Sequence, residues 1–459
     1  MERQNAWKKY KGKQLKEIES LAKSYKDFLN NGKTERECVK TSIAMAKDAG
    51  YKDLAEIIKK GKKLVPGDKV YAVNMGKAVA LFNIGTQKLE KGINILGAHI
   101  DSPRMDVKQN PLYEDSELAY LDTHYYGGIK KYQWVAIPLA IHGVVVKKNG
   151  DVVNVVIGED KNDPVVFISD LLIHLAADQL EKKAGKVIEG EALDIIVGSK
   201  PLEGEEKDAV KANVLKLLKK KYDMEEEDFL SAELEIVPAG DARDAGIDES
   251  MIMAYGQDDR VCAYTSLKAF LDVENVKKTA CCLLVDKEEI GSVGATGMRS
   301  RFFENTLAEI INLTEEYSDI KLRRALAASR MLSSDVSAGY DPSYASCFDK
   351  KNASFLGRGI VFNKFTGSRG KSGSNDANAE YMADIRKILD EQSVSFQTAE
   401  LGKVDVGGGG TIAYILSLYG MEVIDCGVAV LNMHAPWEVT SKVDIYEAKR
   451  GYEAFIRFA

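Results

Sequence analysis

Apolar residues recur at a spacing near 3.6 in the first sixty residues, which is typical of amphipathic helices. The pattern predicts one helix over residues 13–30 and a second over 34–60, with Thr34 as N-cap and Glu37 completing a capping box. The run "INILGAHID" (93–101) is a short apolar segment that ends in polar residues. It predicts a buried strand whose carboxyl end opens onto a site.

The pattern changes between about residues 105 and 238, where β-rich runs alternate around an Asn-Gly pair at 149–150. Such a pair between two apolar runs predicts a β-hairpin. We interpret residues 105–238 as an inserted, β-rich second domain. The first domain is then discontinuous and comprises residues 1–104 and 239–459.

After Pro238 helical and strand patterns alternate again. They predict a helix over 260–274, strands over 279–286 and 423–430, and a final helix from about residue 441. This alternation favours an α/β fold in which a mixed, mostly parallel central sheet is flanked by helices.

Composition excludes several classes of function. The chain has 459 residues, of which 45% are hydrophobic, and a net charge of −7 from 63 basic and 70 acidic residues. So balanced a surface offers no strong field for nucleic acid or anionic lipid, and we expect neither as a partner. The longest apolar stretch, residues 134–146, is shorter than the roughly 18 residues that span a bilayer, so we expect no membrane segment.

The N-terminal residues are charged throughout and lack the apolar core of a secretory signal. The six cysteines include no Cys-x-x-Cys pair and fit buried thiols in a reducing compartment. We therefore expect a cytoplasmic location.

Potential metal ligands stand beside the ends of the predicted strands and at the start of a helix. They are His99, Asp101, Asp258, Asp259, Glu288, Glu289, Asp335 and His434. Because the carboxyl ends of neighbouring strands line one crevice in an open α/β sheet, these side chains can converge. Imidazole and carboxylate ligands without thiolates suit a pair of zinc-like divalent ions.

Each of these features also has a structural explanation when it stands alone. A His-x-Asp sequence at a strand end can be a structural contact, and a pair of glutamates is common on surfaces. Two aspartates before a helix can serve as an N-cap. The conjunction of all these features in one chain favours a functional site.

Five motifs occur in the order that characterises a known family. They are "GAHIDSPR" (97–104), "GQDDR" (256–260), "DKEEIGS" (286–292), "SSDVSAGYDP" (333–342) and "NMHAP" (432–436). In these motifs the chain resembles the aspartyl aminopeptidase and aminopeptidase I family of dinuclear zinc exopeptidases. The resemblance extends from about residue 15 to the C-terminus.

The resemblance implies roles for the metal ligands. His99 and Asp335 would bind one ion, Glu289 and His434 would bind the other, and Asp258 would bridge them. Two divalent ions per subunit are expected, with Zn²⁺ favoured, while Mn²⁺ and Co²⁺ accept the same ligands.

The same resemblance implies a hydrolytic mechanism. Glu288 would act as general base on a water activated by the two ions, and would then pass the proton to the leaving amine. Asp101 would orient the imidazole of His99. The expected substrates are peptides with a free N-terminus, from which single residues are removed.

The family's inserted domain builds dimers that assemble into dodecamers, so the resemblance implies a homo-oligomer, with residues 105–238 as the dimerisation domain. Asp170 stands where members that cut after acidic residues carry a histidine that reaches into the partner subunit's site. A carboxylate there would repel an acidic side chain, so we expect a preference for neutral or basic first residues.

Two alternatives remain open from the residues. A dinuclear deacylase or carboxypeptidase would use the same ions and base with a different pocket. A self-assembling scaffold would keep the fold without chemistry, although it has no need for so many converging carboxylates.

Overall fold

The computed structural model describes residues 3–459, which divide into two units. The first contains the described residues up to Asp101, together with Ala242–Met433 and Glu438–Ala459. The second contains Ser102–Asp241 and the short segment His434–Trp437. These boundaries lie three residues from the predicted junctions at 104/105 and 238/239, and His434–Trp437 belongs to the second unit although the sequence pattern predicts it in the first.

The first unit begins with helices and the first four strands. These are α1 (Lys13–Asn30), α2 (Glu35–Asp48), β1 (Lys52–Asp53), α3 (Leu54–Lys59), β2 (Lys69–Asn74), β3 (Ala78–Asn83) and β4 (Asn94–His99). The predicted helix over 13–30 is confirmed, and so is the capping box, in which the Glu37 N–H donates to Thr34 Oγ1 at 3.2 Å. The predicted continuous helix over 34–60 is wrong. It ends at Asp48, and Gly50 follows at φ +87°, a conformation that favours glycine.

The second unit contains one six-stranded sheet and two helices. Its elements are β5 (Arg104–Asp115), β6 (Leu118–Tyr126), β7 (Leu139–Val146), β8 (Val152–Ile157), α4 (Ala177–Leu180), β9 (Ile195–Gly198), α5 (Ala209–Tyr222) and β10 (Ala232–Pro238). The strand order is β8-β7-β10-β5-β6-β9, and all neighbours are antiparallel. The predicted hairpin is confirmed: Val146 pairs with Val152 across the turn, in which Gly150 has φ +90°.

The remaining elements belong to the first unit. They are β11 (Arg243–Ala245), β12 (Met251–Ala254), α6 (Gln257–Leu271), β13 (Ala280–Val285), α7 (Phe302–Thr314), α8 (Asp319–Ala327), β14 (Arg330–Ser334), β15 (Ser337–Ala338), β16 (Ile360–Asn363), α9 (Ala379–Glu391), β17 (Phe396–Thr398), α10 (Ala413–Ser417), β18 (Glu422–Gly427), β19 (Ala429–Leu431), β20 (Glu438–Ser441) and α11 (Lys442–Phe458). A smaller sheet joins β11-β12-β20-β19-β15.

The main sheet of the first unit has nine strands in the order β1-β2-β3-β13-β4-β14-β18-β16-β17. The central neighbours β13, β4, β14 and β18 are all parallel. Apolar side chains alternate between its two faces: Leu96 and Ala98 belong to one buried cluster, and Ile95 belongs to the other. Helices contribute to both clusters, so the predicted α/β class with a mixed, mostly parallel sheet is confirmed.

Two further observations bear on the expectations from composition. Within residues 3–459, no helix combines the length and the apolar character that crossing a membrane demands.

All six cysteines are free thiols, and five of them are buried, whereas Cys347 is exposed. The expectation of buried thiols is therefore wrong for Cys347.

Candidate metal centre

The register of the central strands brings polar residues to one edge of the main sheet. His99, the last residue of β4, pairs with Val285 of β13, and Gly97 pairs with Ser333 of β14. Glu288 and Glu289 come three and four residues after Val285, in a 3₁₀ turn. Asp335 follows the last residue of β14. Because these strands are parallel, their carboxyl ends meet at the same place.

His99 lies at the centre of this cluster. Its Nδ1 is 3.1 Å from the backbone oxygen of Asp101 and 3.3 Å from Asp101 Oδ1. Its Nε2 is 3.3 Å from Asp258 Oδ1, 3.8 Å from Asp335 Oδ1 and 4.0 Å from Glu288 Oε2. Both ring nitrogens therefore face acceptors, Nδ1 towards Asp101 and Nε2 towards the other carboxylates. A proton on each nitrogen suits these contacts, and a metal ion bound among the carboxylates would replace the proton on Nε2.

Asp101 is fully buried and links His99 to the glutamate pair. The backbone N–H of Glu288 donates to Asp101 Oδ1 at 3.1 Å, and that of Glu289 donates to Oδ2 at 3.2 Å. One carboxylate therefore fixes both the ring of His99 and the backbone of the turn that carries Glu288 and Glu289.

Asp258 is held at the start of α6 by a residue that the sequence patterns did not identify. The backbone N–H of Asp258 donates to Glu438 Oε2 at 2.9 Å. Glu438, at the start of β20, is 1% exposed, and its backbone oxygen accepts from Gln257 Nε2 at 2.6 Å. Because this hydrogen bond joins a side chain to a backbone 180 residues away, neither motif nor spacing could reveal it.

Asp259 is fully buried beside Asp258, and the peptide bond between them is cis. Burial, reinforced by the charges of Asp335 and Asp258, raises the pKa of Asp259 well above its ordinary value. Asp259 is not part of the groups whose ligand atoms converge among residues 3–459.

The electrostatics of the cluster favour a positive charge at its centre. Burial raises the pKa of Glu288 to about 8, with Asp335, Asp258 and Asp101 adding to the effect and His99 opposing it. Burial also raises the pKa of Asp335. The pKa of His99 is raised well above its ordinary value because its carboxylate partners outweigh the opposing effect of burial. Carboxylates packed this closely repel one another unless a proton or a metal ion lies between them.

The donor set fits divalent metal ions. Two groups of side chains bring their ligand atoms within 4.8 Å of one another. The first group is His99, Asp258 and Asp335, and the second is His99, Glu288 and Glu289. Imidazole nitrogen and carboxylate oxygen are the donors that zinc-like ions accept, and Nε2 of His99 faces Asp258 and Asp335 of the first group.

His434 is the one predicted ligand that belongs to the second unit. Its φ is +65°, and its Nδ1 donates to the backbone oxygen of Gly128 at 2.8 Å. This contact assigns the proton to Nδ1 and the lone pair to Nε2, which is the tautomer of a metal ligand.

The glycine run at residues 407–410 has a local explanation. Consecutive glycines can either let the backbone approach a ligand or form a tight turn. A Cβ added to Gly407 would lie 2.0 Å from the backbone oxygen of Leu401, and one added to Gly408 would lie 2.5 Å from Cα of Ser368. Close packing of neighbouring backbone therefore accounts for these two glycines.

A histidine and buried carboxylates gathered at the carboxyl ends of parallel strands are typical of α/β metal-dependent hydrolases. The chain belongs to the M18 family, since the family model described as "Aminopeptidase I zinc metalloprotease (M18)" matches residues 28–456. The predicted family and the predicted enzyme class, a zinc-dependent aminopeptidase, are thereby confirmed.

The chain is similar to several relatives over its whole length. "Probable M18 family aminopeptidase 1" of Clostridium acetobutylicum is 64% identical over 456 residues, covering 99% of this chain and 98% of the relative. The crystal structure of an M18 aminopeptidase from Thermotoga maritima has a TM-score of 0.95 at 45% identity and covers 100% of both chains. That of aminopeptidase I from C. acetobutylicum has a TM-score of 0.93 at 63% identity and covers 100% of this chain and 99% of the other. These relatives favour neither the deacylase or carboxypeptidase alternative nor the silent scaffold.

Proposed function

We propose that this aminopeptidase uses two divalent ions and a glutamate general base to hydrolyse the first peptide bond of its substrates. The observation that carries the proposal is the convergence of His99 with Asp258, Asp335, Glu288 and Glu289 at one edge of the sheet. The zinc character of the family agrees with this donor set.

The ligands divide into two sets around Asp258. His99 and Asp335 would hold one ion and Glu289 and His434 the other, with Asp258 bridging them. Support comes from the placement of Asp258 and Asp335 on the Nε2 side of His99. The lone pair on Nε2 of His434 adds further support. Ions bound there would supply Lewis acidity to the scissile carbonyl and would make the attacking water more acidic.

Glu288 would accept the proton of the attacking water on its carboxylate and then donate it to the leaving amine. Burial and the neighbouring carboxylates raise the pKa of Glu288 in the absence of metal ions. Cations bound beside it would lower this pKa, which would leave Glu288 ionised and able to accept the proton. Asp101 would keep Glu288 in place, because it accepts hydrogen bonds from the backbone of both glutamates. The surrounding carboxylates would favour the charged amino terminus of a peptide over an acylated one.

Substrate preference follows from Asp170. This exposed side chain accepts hydrogen bonds through Oδ1 from the Leu171 N–H at 2.8 Å and from Gln179 Nε2 at 3.0 Å. We expect kcat/KM for Leu- and Lys-p-nitroanilide to exceed that for Asp-p-nitroanilide at least about tenfold. A tenfold ratio needs about 1.4 kcal/mol of repulsion between the carboxylate of Asp170 and that of the substrate. A chelator should abolish all of this turnover, and zinc should restore it. N-acetyl-Leu-p-nitroanilide is the matched control and should remain uncut.

Two results of this assay would contradict the proposal in different ways. Full activity after complete metal removal would refute the metal mechanism, and release of acetate from the acetylated substrate would favour a deacylase. A higher kcat/KM for the Asp substrate would refute only the expected preference.

A homo-oligomer is proposed from an apolar segment of the second unit. Large apolar side chains are exposed along residues 165–180: Val165, Phe167, Leu171, Leu172, Ile173, Leu175 and Leu180. Contiguous exposed apolar surface of this kind marks a protein interface, and burial against a second copy would remove it from water. A structure at 20% identity is that of the S. cerevisiae mApe1 dodecamer, which agrees with our proposal of a dodecamer built from dimers through residues 105–238. A cytoplasmic location also stays a prediction.

Charged substitutions should break this assembly. Ile173 and Leu175 are 66% and 67% exposed, and we expect I173E/L175E to lower the native mass, because two carboxylates would be buried at the interface. Light scattering of the wild-type protein should give a multiple of 50.6 kDa. Leu418→Glu, at a leucine that is 80% exposed after α10 in the first unit, is the control and should leave the mass unchanged. A wild-type monomer would contradict the proposal.

A further inference from the structure

Arg260 is a buried cation for which the proposed mechanism has no use. It lies in the first turns of α6, two residues after Asp258, and its side chain is 1% exposed. Arginine is almost never fully buried unless hydrogen bonds and opposite charges compensate its own charge. The contacts of the Arg260 side chain therefore indicate its role in the structure.

The guanidinium of Arg260 donates to two backbone oxygens from separate parts of the chain. Nε donates to the oxygen of Ile100 at 3.2 Å, and Nη2 donates to the oxygen of Lys33 at 3.0 Å. Cζ also lies 5.2 Å from the centre of the Tyr255 ring. The planar, forked guanidinium can make both hydrogen bonds in fixed directions, whereas an ammonium is a single point donor.

Ile100 occupies a decisive position, because it separates the predicted ligand His99 from Asp101. Both neighbours face the candidate metal centre, and Ile100 lies just beyond the last residue of β4. The Ile100 N–H still donates to the oxygen of Val285 in β13 at 2.9 Å, and the bond from Arg260 ties the Ile100 oxygen to the helix that carries Asp258. Asp101 in turn holds the backbone of Glu288.

We propose that Arg260 is a positioning residue that fixes the His99–Asp101 segment relative to Asp258, and so sets the metal-ligand geometry and the placement of Glu288. This inference rests on the proposed function. It assigns Arg260 no contact with substrate or metal ions. Its effect passes through the Ile100 oxygen to the imidazole of His99 and to the carboxylate of Asp101.

The test compares Arg260→Lys and Arg260→Ala with the wild-type protein. The dissociation constant for zinc is measured on the metal-free proteins by competition with a chromophoric chelator, and kcat and KM are measured after reloading. We expect R260K to weaken zinc binding by about 10- to 100-fold, the usual effect of losing a group that orients metal ligands. The kcat of R260K should also fall, even at saturating zinc, while its KM changes little. Millimolar guanidinium should restore part of the lost zinc affinity and activity to R260A.

Controls separate positioning from a general loss of folding. Arg330→Lys removes an arginine that pairs with Asp384 at 3.0 Å at the amino end of β14, and it should leave zinc affinity unchanged. Circular dichroism gives the folded fraction, and guanidinium should not raise the activity of the wild-type protein. If R260A fails to fold, R260K carries the test, because it retains the positive charge.

The inference is overturned if R260K binds zinc and turns over substrate within about twofold of the wild type. It is equally overturned if the losses disappear once they are corrected for the folded fraction. A wild-type protein without chelator-sensitive activity would instead contradict the proposed function, so the two failures are distinguishable.

Discussion

Replacing Glu288 with glutamine is expected to lower kcat about 10²- to 10⁴-fold, the usual contribution of a general acid–base group. The amide has nearly the same shape as the carboxylate but cannot accept a proton from the attacking water. Asp101 binds Glu288 through its backbone N–H, so this contact survives the substitution. The measurement is kcat and KM with Leu-p-nitroanilide at saturating zinc.

The metal content of the variant decides how the result is interpreted. Glu288 is proposed as a base and not as a ligand, so E288Q should bind as much zinc as the wild type and should keep a similar KM. Glu316→Gln changes an exposed glutamate after α7 and should leave kcat unchanged. Turnover of E288Q at the wild-type rate would show that another group moves the proton.

Short-range patterns predicted much of the fold. The helix α1 follows from the spacing of its apolar residues, which are buried along one side, and the β7–β8 hairpin follows from the Asn-Gly turn. The break between α2 and α3 could not be predicted in this way. Ala46 of α2 belongs to one buried cluster of the sheet, whereas Leu54 and Ile57 of α3 belong to the other. The apolar spacing continues through the break, but the chain changes faces.

The candidate ligands were predictable for a different reason. His99, Glu288, Glu289 and Asp335 lie just at or beyond the ends of strands, and the topology of a parallel sheet brings such ends together. Glu438 stands in none of the quoted motifs, and Arg260 ends the motif "GQDDR" without a role that the motif assigns. Both act on backbone groups that only the folded chain brings near, so the sequence alone could not predict their roles.

The buried charges of the site also explain why its supporting contacts are numerous. Carboxylates that lie within a few ångströms of one another oppose folding unless each is held by hydrogen bonds or neutralised. Asp101 accepts from two backbone N–H groups, and Glu438 accepts from a third. Backbone donors thus stabilise the orienting carboxylates, which leaves the oxygens of Asp258 and Asp335 to face His99.

Removing the proposed bridging ligand should have a larger effect on metal content than removing a ligand of one ion. We expect Asp258→Ala to lose both ions, because a carboxylate shared by two cations also screens their mutual repulsion. Asp335→Ala and Glu289→Ala should each retain about one of two ions per chain, since each removes a ligand of one ion only. The metal content of each protein is measured by mass spectrometry of its elements after equilibration at a fixed free zinc concentration.

Asp272→Ala provides a matched control on the same helix, because Asp272 caps the end of α6 and pairs with Lys268 and Lys449 at 2.9 Å. It should retain both ions. If D258A loses no more metal than D335A, Asp258 is a ligand of one ion and the bridging role is wrong. Activity adds a second criterion, because several kcal/mol of Lewis-acid stabilisation would be lost with both ions, and kcat of D258A should then fall at least about 10²-fold.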